Sequence, residues 1–114
     1  MITLYGIKNC DTMKKARAWL DNAGIAYHFH DYKKDGLSPE LLDQWLTEPG
    51  WEALINKRGT TWRQLGDDLK ANMNAINARQ VMLDNPSIIK RPLLDLGDRK
   101  VLGFSAEQYQ SLFK

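Results

Sequence analysis

Cys10 is the only cysteine in the chain, and its neighbours decide what chemistry a thiol could do there. A free cysteine is commonly a small, inert hydrophobe in a core. Lys8, Asn9, Asp11 and Thr12 surround this one with polar, loop-forming residues, which points instead to a reactive thiol. Ahead of it, Ile2-Thr3-Leu4-Tyr5-Gly6-Ile7 reads as a strand. Beyond it, Met13, Ala16, Trp19, Leu20 and Ala23 recur at helical spacing from Thr12 to Ala23. Cys10 is therefore expected where a strand turns into a helix N-terminus, whose unpaired N–H groups and positive dipole end favour an anion. Such placements lower a thiol pKa below its usual ~8.5 and make it a nucleophile at neutral pH. Lys8, Lys14 and Lys15 add positive charge nearby.

A single cysteine excludes an intramolecular disulfide and a multi-cysteine zinc site. Any disulfide that Cys10 forms must be with another molecule. His28 and His30 share one face of a second expected strand, but two imidazoles fall short of the roughly four ligands of a closed site, so no metal is expected. The other residue suited to chemistry is Arg91, whose planar, permanently charged fork matches an anion or a carboxylate. Pro92 follows it. Lacking an N–H, it must start a strand or occupy a special turn, which a cis Arg91–Pro92 bond would supply.

The elements that must position these residues follow from the same pattern. Gly24 is a candidate C′ residue ending the first helix, and Tyr27–Tyr32 reads as the second strand. Lys33–Gly36 reads as a turn. Ser38-Pro39 is an N-cap followed by proline at the first helical position, opening a helix over 38–48 that Pro49-Gly50 stops. From Trp51 to about Asn85 the pattern is helical in short pieces, with Ile76, Ala78, Val81 and Leu83 as a candidate buried stripe. The four tryptophans, Trp19, Trp45, Trp51 and Trp62, read as packing residues. Lys14, Lys15 and Arg17 read as a solvated helix face. Residues 91–95 and 100–104 read as two strands around a turn at 96–99. Ser105 and Gln108 form a capping box for a last helix. The order predicts an α/β, thioredoxin-like mixed sheet, its first two strands parallel and its last two an antiparallel hairpin. The chain is expected to be one domain, with a core of residues 1–35 and 86–114 and an inserted helical lobe of residues 36–85.

These motifs resemble the ArsC/Spx family over almost the whole chain. Cys10 after the first strand matches the family's redox cysteine, and Lys15–Leu20 is similar to the first helix of Spx-type proteins. Asn85-Pro86 through Lys90-Arg91-Pro92-Leu93-Leu94 matches the family's Arg-Pro block, and Val101–Phe104 its closing strand. Within the family the chain looks most like the YffB branch. The resemblance implies a thioredoxin-like fold, a cis proline at Pro92, and a nucleophilic Cys10 assisted by Arg91. It also sets limits. Arsenate reductases that use glutaredoxin surround the oxyanion with three arginines. Here Arg91 matches one, while the other two positions fall on Glu52 and Gly103. Spx-type regulators carry Cys-x-x-Cys at the first loop, whereas this chain has Met13 at the second position.

What remains is a single-cysteine oxidoreductase of the ArsC-like type that uses an external thiol, with glutathione as the expected co-substrate and no bound cofactor. Lys8, Arg58 and Arg91 are expected to pair with its carboxylates, and the backbone beside Pro92 with its peptide groups. Thr12 and the helix amides would stabilise the thiolate, Asn9 would shape the loop, and Asp11 is expected with them among the substrate-binding residues. A glutaredoxin is a further expected partner. The alternatives are an Spx-like regulator that binds RNA polymerase and an arsenate reductase with altered anion ligands.

The bulk numbers bound the rest. With 114 residues, 43% hydrophobic and 26% charged, the chain is expected to fold as an ordinary globular protein. A net charge of +2, with no concentrated basic face, gives no expectation of a nucleic-acid partner. No apolar run approaches the ~18–20 residues that span a membrane. The strand pattern starts at Ile2 with no leader-like segment, so a cytoplasmic monomer is expected.

Overall fold

The computed structural model describes residues 2–113. The chain divides into two units, one built from its beginning and its end and the other from residues 36–90. The first carries a four-stranded sheet, β1 (Thr3–Gly6), β2 (His28–Asp31), β3 (Leu93–Asp95) and β4 (Lys100–Leu102), in the order β2-β1-β3-β4. β1 runs parallel to β2 and antiparallel to β3, and β3 pairs antiparallel with β4. The expected mixed topology is therefore present, and the fold is thioredoxin-like.

Register explains why these short strands hold together. Leu4 lies opposite Phe29 on one side and Leu94 on the other, and Leu94 lies opposite Val101. One apolar row thus crosses all four strands. Met13, Ala16 and Leu20 of α1 (Asp11–Asn22) and Tyr109 of α8 (Ala106–Leu112) pack with Leu4, Leu94 and Val101 of that row. On the other face Tyr5 packs at a tilt against its partner His30, with ring centroids 5.0 Å apart, and stacks with Tyr32 at 6.5 Å. Trp19 packs edge-on against Tyr109.

The ends of α1 are built as its sequence implies. Gly24 adopts φ 70° at C′, its N–H donates to the Asp21 carbonyl, and the Ile25 N–H donates to the Leu20 carbonyl. Both bonds belong to the Schellman motif, which satisfies carbonyls the helix leaves over. At α8, Ser105 Oγ accepts from the Gln108 N–H at 3.1 Å, the cap expected there.

Several boundaries differ from the sequence pattern. The expected turn after the second strand is a short helix, α2 (Tyr32–Asp35). Asp31 explains it: its carboxylate accepts from the Lys33 N–H while Asp35 accepts from the Asp31 N–H, a reciprocal arrangement that turns the chain at once. β2 is correspondingly shorter than Tyr27–Tyr32, and β3 begins only after Pro92.

The second unit is helical: α3 (Pro39–Thr47), α4 (Trp51–Leu54), α5 (Thr60–Arg63), α6 (Asp67–Ala71) and α7 (Ala75–Asp84), then a 3-10 turn at Pro86–Ile88. Ser38 caps α3 by accepting from the Leu41 N–H. α3, α4 and α7 pack together, with Leu42, Trp45, Leu54, Ala78 and Met82 fully buried. Trp45 is a core residue; Trp51 and Trp62 are half-buried. The stripe on α7 runs through Ala78, Val81 and Met82, not through Ile76, which is 81% exposed at the helix start. Residues 86–90 belong with this unit, whereas the sequence pattern places them with the sheet. The Ile55–Ile89 bridge and the bond from the Lys90 N–H to the Leu54 carbonyl hold them there. The Glu48–Pro49 and Arg91–Pro92 bonds are both cis.

Candidate functional site

Cys10 is the N-cap of α1, with extended backbone (φ −121°, ψ 129°), and its carbonyl accepts the first helical bond from the Lys14 N–H at 3.0 Å. The sulfur is half-buried against the sheet-unit core. Burial alone would push the thiol pKa up, because an anion loses solvation there. The opposing influences win. The Met13 N–H, the Arg91 guanidinium (by hydrogen bond and by charge) and the Thr12 N–H all favour the thiolate, and the thiol is held below its ordinary value. The neutral side chain closes no strict cap hydrogen bond, so the amides act chiefly on the charged form.

Arg91 reaches this position from the turn that starts β3. Pro92 behind it is buried, and its carbonyl accepts from the Gly103 N–H at 2.9 Å. The chain after Arg91 is thus fixed to the sheet, and a half-buried guanidinium is delivered beside the sulfur. The phenol of Tyr32, pushed strongly up by burial and by Tyr5, lies close enough to Arg91 to feel its charge. Burial, then the neighbouring Asp95, also raises the Tyr5 phenol. The Tyr32 phenol thus stays protonated at neutral pH and adds no negative charge beside Arg91.

Of the residues the sequence singles out, Cys10, Thr12, Arg91 and Pro92 share the sheet unit with Lys8, Asn9 and Asp11. Lys8 and Asn9 are exposed in the loop before Cys10, and Asp11 is exposed at the first position of α1. Arg58 belongs to the helical unit, exposed, with its N–H donating to Asn56 Oδ1 at 3.1 Å. Gly103, at one of the positions where the resemblance implies an arginine, has φ 80°. That backbone suits glycine and disfavours any side chain.

Arg17 corrects the reading of a solvated helix face. It is half-buried, with its guanidinium over the Phe29 ring at 4.4 Å and its Nε donating to the Tyr27 hydroxyl at 3.3 Å. Its place next to Ala16 and one turn beyond Met13, on the flank of the buried stripe, is the signal in the sequence that foretells this. Met13 itself enters the site through its backbone N–H, a role that its side-chain type could not reveal.

Residues 5–112 match the model of the ArsC family. The structure of the YffB (PA3664) protein has a TM-score of 0.92 and 49% identity, with 97% of each chain covered. An arsenate reductase (ArsC) related protein from Brucella melitensis has a TM-score of 0.83 and 52% identity, covering 99% of this chain and 94% of its own. The global transcriptional regulator Spx of Streptococcus agalactiae is 30% identical over 97% of this chain and 82% of its own length. The family match runs from within β1 through Cys10 and the Arg91-Pro92 turn to the last helix, and on it the chain belongs to the ArsC family, in its YffB branch.

Proposed function

We propose that this protein is a thiol-disulfide reductase that uses Cys10 as its single nucleophile and glutathione as the external thiol. The observation that carries the reading is the half-buried Cys10 at a helix N-cap, its thiolate favoured by Arg91 and two backbone amides. Thiolates attack disulfide sulfurs, and a depressed pKa keeps one available at neutral pH. The Cys10 thiolate attacks the glutathione sulfur of a mixed disulfide. A Cys10–glutathione disulfide forms, and the other thiol leaves as a thiolate that takes a proton from solvent. A second glutathione thiolate then attacks that adduct, releasing glutathione disulfide and restoring Cys10. The net exchange turns one mixed disulfide and one glutathione thiol into one free thiol and one glutathione disulfide.

With one cysteine in the chain, the resolving thiol must be external, which supports glutathione over an internal partner. Pro92, next in the chain after Arg91, leaves no N–H at its own position, and the neighbouring backbone is a candidate edge for a peptide-like ligand. The test is turnover of a glutathione mixed disulfide, followed by coupled consumption of NADPH through glutathione reductase. Wild type should turn over and Cys10→Ser should not; equal rates would refute the proposal. The likeness to an Spx regulator supplies a second reading, a partner-binding regulator, which RNA polymerase retention on the immobilised full chain would favour.

A further inference from the structure

A separate feature of the sheet unit lies on the flank of α1. Lys8, Arg17, Phe29, Asp31, Lys34 and Asp35 line a cavity of about 240 Å³. That is below the ~300–1,000 Å³ of pockets for drug-sized ligands, and suits a small headgroup. Three cations and two carboxylates meet there. Arg17 is preorganised, its guanidinium stacked over Phe29 at 4.4 Å and its Nε tied to the Tyr27 hydroxyl. Preorganisation of this kind lowers the entropy lost when a ligand is bound. Among the described residues neither Lys8 nor Lys34 makes an ion pair. One oxygen of Asp31 accepts from the Lys33 N–H and one of Asp35 accepts from the Asp31 N–H, so both carboxylates are fixed in place.

The mixture of charges selects the ligand. A multiply charged anion such as phosphate would meet two fixed carboxylates, and a simple cation would meet three positive side chains. A group carrying an ammonium and a carboxylate on one carbon satisfies both sets. We propose that this cavity binds the headgroup of an α-amino acid, with its carboxylate on Arg17, Lys8 and Lys34 and its ammonium on Asp31 and Asp35. Two sources present that headgroup: a free amino acid, and the γ-glutamyl end of glutathione, whose linkage leaves both α-groups free. The assignment goes beyond the thiol reaction and does not depend on it.

The experiment titrates the full-length, 15N-labelled protein with L-glutamate, S-methylglutathione and N-acetyl-L-glutamate, observing the Arg17 Nε–H and the Phe29 and Lys34 amides. L-Glutamate or S-methylglutathione should shift these signals saturably. N-acetyl-L-glutamate, which lacks the ammonium, should bind at least tenfold more weakly. Arg17→Met keeps the stem over Phe29, and Lys34→Met alters only an exposed side chain; both should weaken binding severalfold or more. Tighter binding of S-methylglutathione, with shifts reaching Asn9, would identify the tripeptide as the source, whereas equal binding of L-glutamate would identify the free amino acid. No saturable shift with either ligand, equal binding of the acetylated compound, or unchanged binding in both variants would overturn the assignment. Cys10-dependent turnover is measured on the same samples, so failure of the headgroup site and failure of the thiol reaction are read separately.

Discussion

Replacing Arg91 by methionine tests the electrostatics of the site while keeping much of the side chain's apolar bulk. In the wild type, Arg91 favours the Cys10 thiolate both by hydrogen bond and by charge. A hydrogen bond to a charged group contributes ~1.5–3 kcal/mol, which at ~1.4 kcal/mol per factor of ten lowers the thiolate population of the variant ~10- to 150-fold at acidic to neutral pH. The rate falls by less than the population. A more basic thiolate is a better nucleophile, with a Brønsted coefficient of ~0.4–0.5, so about half of the logarithmic loss returns. The net expectation is a ~4- to 16-fold slower alkylation by iodoacetamide below the wild-type pKa. Well above the ordinary thiol pKa of ~8.5, near pH ~10.5, both proteins are essentially fully ionised and the variant should react faster. This crossover distinguishes a charge effect from a loss of access, which would slow the reaction at every pH. A rate ratio that does not change with pH, or no slowing at neutral pH, would refute the reasoning. Thermal unfolding below the wild-type thiol pKa, where Cys10 is protonated in both proteins, should move little.

Three further outcomes follow from the same geometry. A Cβ on Gly6 would collide with the sulfur and terminal carbon of buried Met13, so Gly6→Ala should cost ~1–3 kcal/mol in urea unfolding and also perturb the loop that carries Cys10; a neutral result would contradict the packing. Because the folded-state pKa of Cys10 is depressed, the wild type should gain stability over Cys10→Ser as pH rises towards and above the unfolded thiol range, and lose that gain as pH falls through the folded value; urea midpoints across pH check this. Arsenate reduction with glutathione and glutaredoxin should be negligible. Two absent arginine ligands at ~1.5–3 kcal/mol each correspond to roughly two to four orders of magnitude in affinity, and the φ of 80° at Gly103 disfavours an arginine there; turnover matching a three-arginine relative would overturn it.

The parts of the fold set by local chemistry were legible from residue order. The apolar alternation of β1, the Met13-Ala16-Leu20 stripe, Gly24 at C′ and the Ser38 and Ser105 caps each follow from a backbone requirement that few residue types satisfy. The Cys10 loop was legible for the same reason, since a thiol between a strand and a helix stripe has one place to go. What was hidden depends on particular contacts, local or distant in sequence, rather than on periodicity. The Asp31–Asp35 bonds that make α2, and the Ile55–Ile89 bridge that draws residues 86–90 into the helical unit, leave no periodic trace. Arg17's place on the flank of the buried stripe hints at burial, but its partners Tyr27 and Phe29 are brought beside it only by the parallel pairing of β1 with β2. Ile76 has the right type for a core stripe but sits in the first turn of α7, ahead of the residues that meet α3 and α4.

The most direct test of the central claim is the intact mass of the protein after reaction with a glutathionylated peptide. The account predicts a single glutathione adduct per chain, located on the tryptic peptide that contains Cys10, discharged by free glutathione with release of glutathione disulfide and absent from Cys10→Ser. A wild-type protein that forms no adduct under conditions where iodoacetamide alkylates Cys10, or an adduct that free glutathione does not discharge, would contradict it.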